Sequence, residues 1–136
     1  MKIEDFPTNG DQWEGSDWMA VMPDTAYAHC EVLHVHGAEV EPITAERVAR
    51  VDRWMAHRGD YAECNIAALV ELTDGTWAGV IGWCDTTGWD CQAGVDWRVA
   101  PTRDEAIRLG LDSASRRALD LELLGEAQTT LIGPAT

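Results

Sequence analysis

The sequence predicts an α+β fold: an antiparallel β-meander of three to four strands with helices packed on one face. Three observations predict it. Asp74-Gly75 divides two apolar-rich runs, the signature of a tight hairpin. A third run follows after a short loop, and three consecutive strands with short connections make a meander. Helix start and stop signals flank this core on both sides.

Taken in order, residues 1–25 hold Pro7, Gly10, Gly15 and Pro23 among acidic residues and read as irregular. Trp13, Trp18, Met19, Val21 and Met22 give that segment apolar anchors, so it is expected to pack onto the body. Tyr27 to His36 reads as a strand. Cys30, Val32, His34 and His36 alternate there with His29, Glu31, Leu33 and Val35 at period two. This strand fits either edge of the meander. Thr44 to Arg58 reads as a helix, with Thr44 as N-cap and Gly59 as C-terminal stop. Val48, Val51, Trp54 and Met55 form its apolar stripe, and Arg47, Arg50, Arg53 and Arg58 lie mostly opposite.

Tyr61–Leu72 and Thr76–Cys84 are the hairpin strands. A two-residue type I′ turn at Asp74-Gly75 sets Thr73 opposite Thr76 and Ile66 opposite Trp83. The core face then carries Ile66, Ala68, Val70, Leu72, Trp77, Ile81 and Trp83. The reverse face carries Ala67, Leu69, Ala78, Val80 and Cys84 and is also apolar, so a cover is expected over it. The third strand runs from about Cys91 to Val99, and Pro101 ends the sheet. Thr102-Arg103-Asp104-Glu105 has the form of a capping box and starts a short helix that Gly110 ends. A second helix runs from Asp112 or Ser113 to about Leu124, before Gly125. With no repeat and no linker, residues 1–136 read as a single domain.

A chain of 136 residues is long enough to bury a real core. Its 24 acidic against 10 basic residues leave a net charge of −14, which disfavours direct nucleic-acid binding because phosphate contacts need Lys and Arg. The same field repels anionic membranes and attracts basic protein surfaces. No apolar run approaches a membrane span. The segment Met1–Phe6 lacks the basic and apolar regions of a signal peptide, so the expected location is the cytoplasm of a host cell. In that compartment the four cysteines, Cys30, Cys64, Cys84 and Cys91, are expected as thiols. Lys2 is the sole lysine and Phe6 the sole phenylalanine, a bias that fits GC-rich coding.

The segment from Trp83 to Gln92, Trp-Cys-Asp-Thr-Thr-Gly-Trp-Asp-Cys-Gln, is the most distinctive in the chain. Its plain reading is a hairpin loop whose Asp and Thr side chains satisfy their own backbone. Its functional reading is a recognition loop, with Trp89 as anchor and Asp85, Thr87 and Asp90 as polar contacts. Cys84 and Cys91 are spaced to face each other across the loop, and a disulfide between them fits oxidising conditions. This segment, with Val99-Ala100-Pro101-Thr102 and the acidic helix start after it, resembles small uncharacterised proteins of actinobacteriophages. The resemblance covers roughly residues 75–111. It implies a phage-type origin and carries no activity, so it assigns no catalytic residue.

Cys30, His34 and His36 share one strand face, and with Cys64 they are the weak candidates for a metal site. Structural zinc sites use close pairs such as C-x-x-C, and the sequence has none. It also has no P-loop, Rossmann fingerprint, nucleophile elbow or HExxH. No cofactor is expected. The reading that follows is a non-enzymatic interaction protein. It binds a host protein with a basic surface through Asp85, Thr87, Trp89 and Asp90, and the expected consequence is inhibition of a defence or nucleic-acid-handling system. Two alternatives stand beside it: a small metal-binding protein or enzyme using the Cys/His residues, and a structural homo-oligomeric subunit built on the apolar reverse face.

Overall fold

A computed structural model of the chain describes residues 1–8, 18, 32–36, 44–58, 63–85 and 92–121. Five strands form one sheet: β1 (Val32–His36), β2 (Val48–Arg58), β3 (Glu63–Leu72), β4 (Trp77–Asp85) and β5 (Gln92–Ala100). Their spatial order is β1-β5-β4-β3-β2. Strands β2 to β5 are consecutive and antiparallel; β3, β4 and β5 are the expected meander, and β2 adds a further strand to it. The described part of the first predicted strand, β1, adds at the β5 edge in parallel. Two helices follow, α1 (Arg103–Gly110) and α2 (Ser113–Ala118).

The segment 44–58 corrects the sequence reading. A short 3-10 turn, Ala45–Arg47, leads into strand β2 rather than an α-helix. Two register irregularities, between Val48 and Arg50 and between Val51 and Arg53, are the cause. Each inserts one residue, so the positions that share a face become Val48, Val51, Trp54 and Ala56, opposite Leu72, Val70, Ala68 and Ile66. A strand with two bulges thus repeats its inward residues at intervals of three, close to the spacing of a helix.

The hairpin turn is also different. The Gly75 amide donates to the Leu72 carbonyl and the Leu72 amide to the Thr76 carbonyl. Only Gly75, at φ 88°, is left-handed in this turn. That is a three-residue loop, a type I turn closed by a left-handed glycine, and not the two-residue type I′ form, which needs two left-handed residues. Asp74 stabilises it by accepting from the Thr76 amide at 2.9 Å and the Thr76 hydroxyl at 2.5 Å. The register moves by one residue, and Ile66 faces Gly82 while Asn65 faces Trp83. A one-residue slip exchanges the faces of a strand. Trp77, Ile81 and Trp83 therefore lie on the face of Ala67 and Leu69, and Ala78 and Val80 join Ile66, Ala68 and Val70.

Both faces are covered. On one, Phe6 and Trp18 pack with Val48, Ile66, Ala68, Val70, Leu72, Val80, Val95 and Trp97. The Phe6 and Trp18 rings stand 4.9 Å apart, and the Trp18 indole donates to the Pro7 carbonyl at 2.8 Å. On the other, Ala106, Ile107, Leu111, Leu119 and Leu121 close over Ala67, Leu69 and Ala100. Of the reverse face inferred from sequence, Ala67 and Leu69 are covered by α1 and by Leu111, Leu119 and Leu121, whereas Ala78 and Val80 pack with Phe6 and Trp18 on the other face.

Helix α1 begins as predicted: Thr102 is its N-cap, accepting from the Glu105 amide at 3.2 Å. Asp112 caps α2 through the Ser115 amide at 2.7 Å, and the bonds from Ser115 hold its carboxyl below the ordinary range. Helix α2 stops at Ala118, short of the predicted Leu124. The Asp120 amide donates to Arg117 and the Leu121 amide to Arg116, with Asp120 at φ 56°. This pair of bonds is a Schellman termination with Asp in the left-handed position.

Candidate functional site

Strands β3, β4 and β5 bring the polar end of the sheet together around the distinctive segment. Across this end the register sets three successive rows. Arg58, Cys64, Cys84, Ala93 and Leu33 form one, running β2-β3-β4-β5-β1. His57, Asn65, Trp83, Gly94 and His34 form the next inward, on the opposite face. Glu63, Asp85, Gln92 and Val32 form the outermost.

Trp83 stands in the middle row on the helix-bearing face. It is 37% exposed, and of the large apolar side chains described only Leu109 is also exposed. The reason is local. Helix α1 packs on β4 and β5 near Gly79, four residues away along the strand. Gly94 opposite Trp83 has no side chain to pack on the ring. His57 and Asn65 beside it are exposed. An aromatic ring framed by polar groups is the composition of an interface anchor.

Of the predicted binding residues, Asp85 ends β4 opposite Gln92 and Glu63. Thr87, Trp89 and Asp90 lie outside the described residues, as do Cys30 and Cys91. Among the described metal candidates, Cys64 does not converge with His34 and His36. His34 and His36 are on β1 and Cys64 on β3, with β5 and β4 between them. Three strand spacings separate those strands by about 14 Å. The register also assigns Cys64 to the opposite face from His34 and His36. Among the described residues no cluster of three His, Cys, Asp or Glu groups could hold a metal ion. The expected Cys84–Cys91 apposition changes too, because β5 sets Ala93 opposite Cys84, and Cys64 faces it from β3.

A second charged cluster escaped the sequence reading. Asp52, the inserted residue of a bulge, accepts from Arg50 at 2.8 Å and from Arg103 at 2.8 and 3.1 Å. Arg50 also donates to Glu71 at 2.9 Å. The two guanidinium groups lie 5.2 and 5.9 Å from the Trp77 ring, within cation–π range. Burial pushes Asp52 up, but the bonds from Arg103 and Arg50 outweigh it and hold the carboxyl below its ordinary value. The cluster fastens edge strand β2 to the start of α1. Its arginines already serve Asp52 and Glu71, so it acts as a structural clamp. The signal for it lay in the Arg-rich run of β2, which was assigned to a helix surface.

No helix among the described residues is long and apolar enough to cross a membrane. No family model, no curated protein and no solved structure matches the chain.

Proposed function

We propose that the chain is a non-enzymatic, phage-type interaction protein. It engages a basic surface of a host protein through the end of the sheet that carries Trp83 and Asp85, with Thr87, Trp89 and Asp90 of the segment that follows in sequence completing the contact. The observation that carries this reading is the exposure of Trp83 beside Asp85 in a chain of net charge −14. An aromatic anchor supplies contact energy and an acidic field supplies steering and selectivity. Occupying a basic groove in this way would block a nucleic-acid-handling or defence protein of the host.

The alternatives have less support. For the Cys/His metal site, the strand order separates Cys64 from His34 and His36, and Cys30 lies outside the described residues. Homo-oligomer formation was motivated by a bare apolar face, and Ala106 and Ile107 of α1 with Leu111, Leu119 and Leu121 cover Ala67 and Leu69 of that face.

The test is affinity capture from host lysate, comparing the wild type with Trp83→Ala and Asp85→Asn. The expected result is one basic protein retained by the wild type, lost by both variants, and released by rising salt. A partner held equally by the variants, or indifferent to salt, would overturn the reading.

A further inference from the structure

The register places two cysteines directly opposite each other on neighbouring antiparallel strands, Cys64 on β3 and Cys84 on β4. Opposed residues of an antiparallel pair have Cα atoms about 4.5–5.5 Å apart, inside the 4.4–6.8 Å span of disulfides. The β3–β4 register runs without a shift from Glu71–Trp77 to Glu63–Asp85, so this apposition belongs to a regular ladder. On the other side of Cys64 the partner position is Arg58 of β2. Positive charge near a cysteine favours the thiolate, which is the nucleophile in disulfide exchange. Glu63 and Asp85, the nearest acidic residues in sequence, take the next row, on the opposite face.

We propose that Cys64 and Cys84 are a reversible dithiol–disulfide site, with Arg58 promoting the attack by Cys64. The oxidant is a small-molecule disulfide of the glutathione class. The Cys64 thiolate attacks one sulfur of that disulfide and forms a mixed disulfide, and one small thiolate leaves. The Cys84 thiolate then attacks the Cys64 sulfur, closes the Cys64–Cys84 bond and expels the second small thiolate. The two protons lost by the cysteines end on the two released thiols. The protein pair is oxidised by two electrons and the small disulfide is reduced by two. The bond ties β3 to β4 one residue before Asp85, where the β4–β5 connection begins.

The test treats the full chain with oxidised glutathione, blocks remaining thiols by alkylation, and maps disulfides by mass spectrometry of proteolytic fragments. The expected product is a Cys64–Cys84 cross-link, with Cys30 and Cys91 alkylated and the thiols restored by reduced glutathione. In Cys84→Ser, Cys64 should stop at the mixed disulfide. Arg58→Gln should slow the first step several-fold, and Arg58→Lys should restore most of the rate. A Cys84–Cys91 cross-link, stable mixed disulfides on the wild type, or four unreacted thiols would overturn the site. An unchanged rate in Arg58→Gln would overturn the role of Arg58.

Discussion

Gly79 of β4 and Gly110 at the end of α1 meet backbone to backbone. A Cβ on Gly79 would lie 2.6 Å from the Ala106 carbonyl oxygen and 2.8 Å from the Gly110 Cα. A Cβ on Gly110 would lie 2.6 Å from the Gly79 Cα. The helix rests directly on the strand, and this contact sets the depth at which Ala106 and Ile107 enter the core. Gly110→Ala should gain about 1 kcal/mol of helix propensity. The clash is with main-chain atoms that no rotamer change can move, and overpacking costs about 1–3 kcal/mol. The clash wins, so both Gly79→Ala and Gly110→Ala should lower the urea midpoint, with the double variant no better than either.

Gly75 makes the opposite case. It sits at φ 88°, yet a Cβ there would meet nothing within 4 Å. Only the backbone conformation resists substitution, at a cost of about 1–2 kcal/mol. Gly75→Ala should lose that much in chemical denaturation, and Gly75→Asn less, because Asn tolerates the left-handed region.

These two glycines indicate what could be read in advance. Gly75 was legible as a turn residue because its constraint is local. Gly79 was not, because its constraint comes from Gly110, remote in sequence, although an isolated glycine in a strand run is a recognised sign of close backbone approach. The N-cap at Thr102 and the three meander strands were local patterns, and they appear as read. Strand β2 was misread because its bulges replace period two with steps of three. Trp83 was assigned to the core because a three-residue turn was taken for a two-residue one, and that single slip concealed the exposed ring of the candidate site. Strand β1 could be located but not placed, since nothing in its own residues specifies pairing with β5.

Asp52 should make stability sensitive to acid. Its folded pKa lies below the ordinary 3.8. A carboxyl depressed on folding contributes stability that is fully present above the unfolded value and is lost as pH falls through the folded value. Asp52 is 15% exposed but Arg50 and Arg103 are far more open. Solvent screening therefore limits the contribution to about 1–2 kcal/mol. Asp52→Asn should lose that amount at pH 7, and the gap to the wild type should close in denaturation curves taken progressively below pH 4.

Asp120 offers a gain. It holds the left-handed position of the Schellman termination, where glycine is favoured, and its charge faces the negative end of α2. Asp120→Gly should raise stability by about 0.5–1 kcal/mol, read as a higher melting temperature. Asp120→Ala, which keeps a Cβ without the local hydrogen bonding of Asp, should lower it.

Trp97 and Trp83 differ in burial, so their substitution separates packing from the proposed binding. Trp97 is 1% exposed in the core shared with Trp18, whereas Trp83 is 37% exposed. Trp97→Ala leaves a large cavity and should destabilise by about 3–5 kcal/mol. Trp83→Ala removes a ring that is already part-solvated, and the loss should be about 1 kcal/mol. If Trp83 is an anchor, its removal abolishes partner retention while the melting curve stays close to that of the wild type. A Trp83→Ala protein as unstable as Trp97→Ala would instead make Trp83 a packing residue, and the binding reading would lose the observation that carries it.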